Sequence, residues 1–125
     1  MDSRIEGWNI RFIDTVADNG SSARFVLGSR PVPLRDVDLV SCAMTLLKES
    51  EVESRGNGGA CLGNPLNALA WLADRMVQLG TPLRAGDVVM TGALGPVVAV
   101  SGPATFTAHI EGLGTVRAAF SEQAL

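Results

Sequence analysis

The sequence predicts an α+β chain, several short strands with one long covering helix, in the manner of a β-roll. Three observations lead there. A capped amphipathic stripe occupies about residues 65–79, and alternating apolar and polar residues over 105–120 are interrupted by glycines. The elements also lack the βαβα alternation of a doubly wound sheet. At 125 residues, one domain over 1–125 is expected.

From the N-terminus, the stretch WNIRFI (8–13) alternates roughly with period two and is expected as a strand. DTVADNGSS follows, Asp14–Ser22, dense in acids, amide, glycine and hydroxyls. It suits a turn with helix-capping side chains or part of a site. Phe25–Leu27 reads as a short strand closed by Gly28, and RPVPLRDVD as a proline-punctuated loop. Val, Cys and Thr make Leu39–Leu47 a strand, with EVESRG (51–56) as its hairpin partner and NGGACLG (57–63) as a loop.

The helix has the clearest punctuation. Asn64 caps it, and Pro65 occupies the first turn, where a missing N–H costs nothing. Leu66, Leu69, Ala70, Ala73, Met76 and Val77 form one stripe. Gly80 and Pro82 end it. Trp71 and Met76 read as packing residues. Ala85–Gly86–Asp87 then turns into a short strand, Val88–Met90, and PVVAV is a further apolar stretch. In the closing hairpin, Phe106, Ala108 and Ile110 alternate with Thr105, Thr107 and His109, EGLG turns the chain, and Val116, Ala118 and Phe120 mirror the pattern.

Composition narrows the function. Net charge is −3, and Arg supplies all but one of the ten cationic side chains, Lys48 being the exception. No basic run exceeds two residues, so nucleic acid is not an expected partner. No apolar run approaches a membrane span, nor does the start resemble a signal peptide, so the expected location is cytoplasmic. Cys42 and Cys61 lack CxxC spacing and are expected to be buried and inert. Low charge, 18%, beside 14 glycines suits a β-rich domain or a subunit that hides one face in an oligomer.

Candidate chemistry is sparse. His109, the single histidine, falls on the polar face of the hairpin as a solvent-facing residue, and no G-x-S-x-G elbow accompanies it. Asp14 and Asp18 make a weak metal pair on their own. Glu49, Glu51 and Glu53, like Asp36 and Asp38, read as solvated surface. GNGGACLGNP fails both phosphate-loop spacings, although the helix start at Asn64–Leu66 suits an anion. MTGALGP (90–96) ends a strand in small residues whose N–H groups, with the Thr91 hydroxyl, suit a carboxylate or enolate oxygen.

Taken in order, DSRIEGWNIRFIDTVADNGSS, RFVLGSRPVPLRDVDL, GACLGNPLNALAWLADRMVQLGTPLRAGDVVMTGALGP and FTAHIEGLGTVRAAF resemble the C-terminal half of the 2-keto-4-pentenoate (2-oxopent-4-enoate) hydratases. These belong to the fumarylacetoacetate-hydrolase-like superfamily, beside 4-oxalocrotonate decarboxylase. The resemblance implies a mixed β-roll of the fumarylacetoacetase C-terminal-like type. It implies a lyase (hydro-lyase) of aromatic hydrocarbon catabolism that adds water to 2-hydroxypenta-2,4-dienoate to give 4-hydroxy-2-oxopentanoate, with Mg²⁺ or Mn²⁺ holding the 2-oxo acid. Decarboxylation of 4-oxalocrotonate and a non-catalytic oligomerising domain are the alternatives.

Residue by residue, Asp18, Asn19 and Ser21 of ADNGSS match the family's ADNASS and are the catalytic candidates, with Gly20 replacing alanine. Ser22, Thr91 and Gly92 are the substrate-binding candidates. The family's E-x-E pair, third metal glutamate and catalytic lysine and aspartate fall ahead of the matched region. The resemblance therefore implies that Met1 stands just past the last metal ligand, that this chain holds no metal ligand, and that alone it is inactive or partner-dependent. A homo-oligomer or a partner chain carrying the missing half is expected.

Overall fold

A computed structural model describes residues 4–122. Met1 lies outside it with Asp2 and Ser3 of the first matched stretch, as do residues 123–125. Four strands form one sheet in the order β2-β1-β3-β4: β1 Ala43–Lys48, β2 Glu51–Asn57, β3 Ala104–Ile110 and β4 Gly114–Phe120. All three pairings are antiparallel, so the described residues form no parallel part of the expected mixed roll.

Local turn chemistry sets the two hairpins. Lys48 pairs with Glu51 across a tight turn, and Glu49 takes φ 52° there. Far from being idle surface charge, Glu49 closes this turn onto β3: its amide donates to the Thr105 carbonyl at 2.8 Å, and its carboxylate accepts from the Thr105 amide at 2.7 Å. A register shift between Leu46 and Leu47 leaves Glu53 as the extra residue of a bulge. In the second hairpin Ile110 pairs with Gly114. Phe106 and Phe120 meet edge to face, ring centroids 5.7 Å apart.

Two helices accompany the sheet, α1 Phe12–Ala17 and α2 Pro65–Gln78. α2 is the expected long helix: the Asn64 side chain accepts from the Leu66 amide at 2.9 Å, and the Gly80 amide reaches the Val77 carbonyl at 3.0 Å. α1 overturns the strand expected over 8–13. Residues 6–8 make a 3-10 turn, and the Asp14 carboxylate then accepts from the Arg11 amide at 2.9 Å. That cap starts a helix through the middle of the alternating pattern.

Phe25–Leu27 and Val88–Met90, both expected as strands, lie outside any assigned ladder, as does the PVVAV stretch. The strand expected from Leu39 begins at Ala43. Residues 38–42 are a turn, in which the Asp38 carboxylate accepts from the Val40 amide (2.9 Å) and the Ser41 hydroxyl (2.6 Å).

The core is thin. Cys42, Cys61, Ala104 and Phe106 are its buried apolar residues, and no large side chain is fully buried among the described residues. A monomer of 13.1 kDa exposes about 6,400 Å² by the usual size scaling. This chain exposes 9588 Å², about half as much again. Phe12 (83% exposed), Ile13 and Val16 leave α1 with a bare apolar face, and Trp71, the expected packing residue of α2, is 67% exposed.

Candidate functional site

A cavity of about 660 Å³ opens where residues 26–34, the first turn of α2, residues 89–94 and the β3–β4 hairpin meet. Leu66, Leu69, Ile110 and Val116 make it apolar, while Thr91 and Thr115 bring hydroxyls and Arg30 a charge.

Thr91 and Gly92 occupy its wall, where the sequence expected a substrate. Cys61 holds them there. Its Sγ donates to the Thr91 carbonyl at 3.0 Å, and its own amide is fixed on the Gly58 carbonyl at 3.0 Å. Gly92 takes φ 138°, and a Cβ there would lie 2.9 Å from Cys61 Sγ. The thiol is thus buried and free as expected, yet it shapes the wall. Gly92→Ala is expected to lower stability by about 1–3 kcal/mol, from overpacking and a φ that alanine resists. Adding Cys61→Ala makes room for the new methyl and recovers part of the loss. Urea midpoints of the two single variants and the double variant measure this coupling, and strict additivity would contradict the contact.

Asp18, Asn19, Ser21 and Ser22 do not line the cavity. Asp18 and the Ser22 carbonyl, with Asn19 and Ser21 in the turn between them, gather instead on Arg4, a residue given no role in the sequence reading. Its amide and Nη1 bind the Asp18 carboxylate at 3.3 and 3.0 Å, and Nη1 also reaches the Asp18 carbonyl. Nη2 donates to the Ser22 carbonyl at 2.9 Å. Asp18 and Ser21 are buried, at 6% and 3% exposure, whereas Asn19 is exposed. Asn19, Gly20 and Ser21 take φ of 53°, 66° and 52° in succession. Left-handed backbone ends α1 here, and two of the three residues pay strain for it. One guanidinium fastens this turn, so Asp18 orders its neighbours.

The remaining polar groups are local. His109 is exposed, with Nδ1 3.0 Å from the Thr115 hydroxyl. The Ser41 hydroxyl, followed by the Val40 and Ser41 amides, holds the Asp38 carboxyl below its ordinary value. A carboxylate with a depressed native pKa stabilises fully above its unfolded value of about 3.9 and loses that contribution as pH falls through the native value. Ser41→Ala is therefore expected to move the Asp38 carboxyl NMR titration upward, and an unmoved titration would show that the hydroxyl does not set it.

Among the described residues no three His, Cys, Asp or Glu side chains converge on a point. Asp14 caps α1 and Asp18 is paired with Arg4. The donor set therefore does not fit a divalent ion. No helix among the described residues is long and apolar enough to cross a membrane.

The class follows from the whole sequence: the chain belongs to the fumarylacetoacetate (FAA) hydrolase C-terminal family, whose model matches residues 3–121. Its particular relatives are hydratases. Over 122 residues it is 75% identical to a 2-keto-4-pentenoate hydratase of Paraburkholderia phymatum, covering 98% of this chain and 47% of that protein. It is 39% identical to a 2-hydroxyhexa-2,4-dienoate hydratase of Comamonas testosteroni over 98% of this chain and 46% of the relative. Among solved structures, 4-oxalocrotonate decarboxylase from Pseudomonas putida G7, complexed with magnesium and adipate, superposes with a TM-score of 0.86 at 38% identity, over 94% of this chain and 44% of that one. The chain thus spans just under half the length of these relatives.

Proposed function

We propose that this chain supplies one wall of a hydratase site that adds water to a 2-hydroxy-2,4-dienoate, 2-hydroxypenta-2,4-dienoate giving 4-hydroxy-2-oxopentanoate. The observation that carries this reading is the Thr91–Gly92 wall of an apolar cavity, in a chain 75% identical to a hydratase. The Thr91 hydroxyl donates to a substrate oxygen. Gly92 lets the substrate approach the backbone, and Leu66, Leu69 and Ile110 cover the diene and exclude stray water. Ketonisation of the dienol leaves an enone, whose distal carbon then accepts water.

That sequence needs groups that move protons and a charge that stabilises the enolate. Among the described residues, the cavity lining holds no His, Asp, Glu or Lys. The proposal assigns those groups, and the Mg²⁺ or Mn²⁺ site, to polypeptide outside this chain. The Arg4–Asp18 turn, with Asn19, Ser21 and Ser22, is assigned to the part of the site that this chain does not close by itself.

Loss of dienoate absorbance tests this, using the chain alone and the chain mixed with the non-matching half of the Paraburkholderia phymatum relative, with Mg²⁺ or Mn²⁺ present. The chain alone is expected to run at least about 10³-fold slower than the mixture, the scale of a lost acid–base group. Robust turnover by the chain alone would overturn the assignment. The 38% identity to a decarboxylase supports 4-oxalocrotonate as a second substrate, and the same mixture is expected to favour the dienoate.

A further inference from the structure

We infer that Cys61 is a positioning residue: from behind the cavity wall its thiol sets the Thr91–Gly92 peptide so that the Gly92 N–H faces the cavity as a donor to a ligand oxygen. The orientation of the peptide rests on geometry. The oxygen it serves, that of the enolate formed from the dienol, rests on the hydratase reading.

Thr91 and Gly92 line the cavity, whereas Cys61 does not. Cys61 is buried, and its Sγ donates to the Thr91 carbonyl at 3.0 Å. That carbonyl and the Gly92 N–H belong to one peptide plane, and no peptide bond among the described residues is cis. In a trans peptide the two groups point in opposite directions. A carbonyl drawn back onto the thiol therefore turns the N–H away from it, to the side on which the cavity lies. The fit is close, because a Cβ on Gly92 would meet Cys61 Sγ at 2.9 Å.

Two elements fix the mount of the thiol. The Cys61 amide donates to the Gly58 carbonyl at 3.0 Å, and the Gly58 amide donates to the Cys42 carbonyl, at the foot of β1, at 3.2 Å. On the other side, Asn67 Nδ2 in the first turn of α2 donates to the Leu62 carbonyl at 2.9 Å. Leu62 itself takes φ 52°, a strained conformation that persists only where the surroundings hold it. The thiol thus carries the positions of β1 and α2 to the wall. A developing enolate gains most from donors already in place, and a backbone N–H whose carbonyl is held needs no reorganisation.

The test compares the whole chain as wild type, Cys61→Ser and Cys61→Ala. In the chain alone, Cys61→Ala is expected to move the Thr91 carbonyl ¹³C resonance, while Cys61→Ser, which keeps a donor there, stays close to wild type. A dissolved neutral nitroxide is expected to broaden the Gly92 amide proton of wild type, because that proton faces an open cavity. In the two-part hydratase mixture, Cys61→Ala is expected to lower kcat per folded chain at least about tenfold, short of the ~10²–10³ lost with a whole oxyanion donor. KM is expected to stay within about threefold, as for an interaction made in the transition state, and Cys61→Ser to return kcat to within about threefold of wild type. A role confined to stability would lower the urea midpoint and leave kcat per folded chain unchanged. An unmoved Thr91 carbonyl in Cys61→Ala, a Gly92 amide shielded from the nitroxide, an unchanged kcat, or a Cys61→Ser variant as slow as Cys61→Ala would each overturn the inference. A wild-type mixture without turnover would overturn the hydratase reading instead, and the carbonyl and nitroxide results would still decide the orientation of the peptide.

Discussion

Replacing Gly56 with alanine is expected to destabilise the chain by about 3 kcal/mol or more and to lift residues 94–96 off the sheet. Gly56 lies on β2 opposite Met44. A Cβ there would fall on the Leu94 carbonyl oxygen, 2.8 Å from its carbon and 3.0 Å from Gly95 Cα. These are backbone atoms, which cannot swing aside as a flexible side chain would. The contact is reciprocal: a Cβ on Gly95 would meet Met44 Cε at 2.7 Å and the Arg55 carbonyl at 2.8 Å. One residue further along, the buried Ser54 hydroxyl donates to the Pro96 carbonyl at 2.9 Å. Displacing the segment leaves that hydroxyl without its acceptor, adding about 1–3 kcal/mol to an overpacking cost of similar size. Gly28→Ala is the comparison, because its Cβ would sit 3.8 Å from a Val116 methyl, an ordinary contact, and a change within about 0.5 kcal/mol is expected. Urea denaturation measures both. An unchanged midpoint for Gly56→Ala would mean that residues 94–96 do not rest on β2, and that the Thr91–Gly92 wall is held by Cys61 alone.

The same contacts show what the sequence could disclose. α2 was legible because its signals are local: a capping amide, a proline in the first turn, and a glycine beyond the end. The second hairpin was legible from alternation on each side of its turn, and the first from strand-forming composition beside EVESRG. The failures are of two kinds. Residues 8–13 alternate like a strand, but one carboxylate three residues past Arg11 turns the chain into a helix, and a pattern search over apolar residues gives that cap no weight. Phe25–Leu27 and Val88–Met90 have strand composition without a ladder among the described residues, because a ladder needs a neighbour and composition does not supply one. Of the candidate site, Thr91 and Gly92 border the cavity; the sequence marked them as small residues after an apolar run, although that run forms no strand among the described residues. Arg4 and Cys61 were missed, since their contacts come from what long-range folding brings beside them. Asp18 and Thr91 were grouped by resemblance, whereas the structure places them in separate clusters, and only the second borders the cavity.

Adding the non-matching half of the Paraburkholderia phymatum hydratase is expected to raise the thermal midpoint of this chain by about 10 °C. The motive is the surface already described, 9588 Å² where a monomer of this mass shows about 6,400 Å². The bare face of α1 supplies part of it, Phe12 at 83% and Ile13 at 78% exposure. Apolar area returns about 25 cal/mol per Å² on burial, so covering even a fraction of this surface is a large gross gain. Association and ordering costs remove most of that gain. What remains is set by mass action: a partner at a hundred times its dissociation constant stabilises by about 2.7 kcal/mol, and at a few degrees per kcal/mol this is about 10 °C. Phe12→Ser with Ile13→Ser separates this from general crowding. Both side chains already face water, so the doubly substituted chain is expected to melt close to wild type when alone. With the partner present it is expected to lose at least half of the gain, because the apolar contact is gone. A shift of less than about 2 °C in the wild-type mixture, or an undiminished shift in the substituted one, would mean that the α1 face is not where the other half docks.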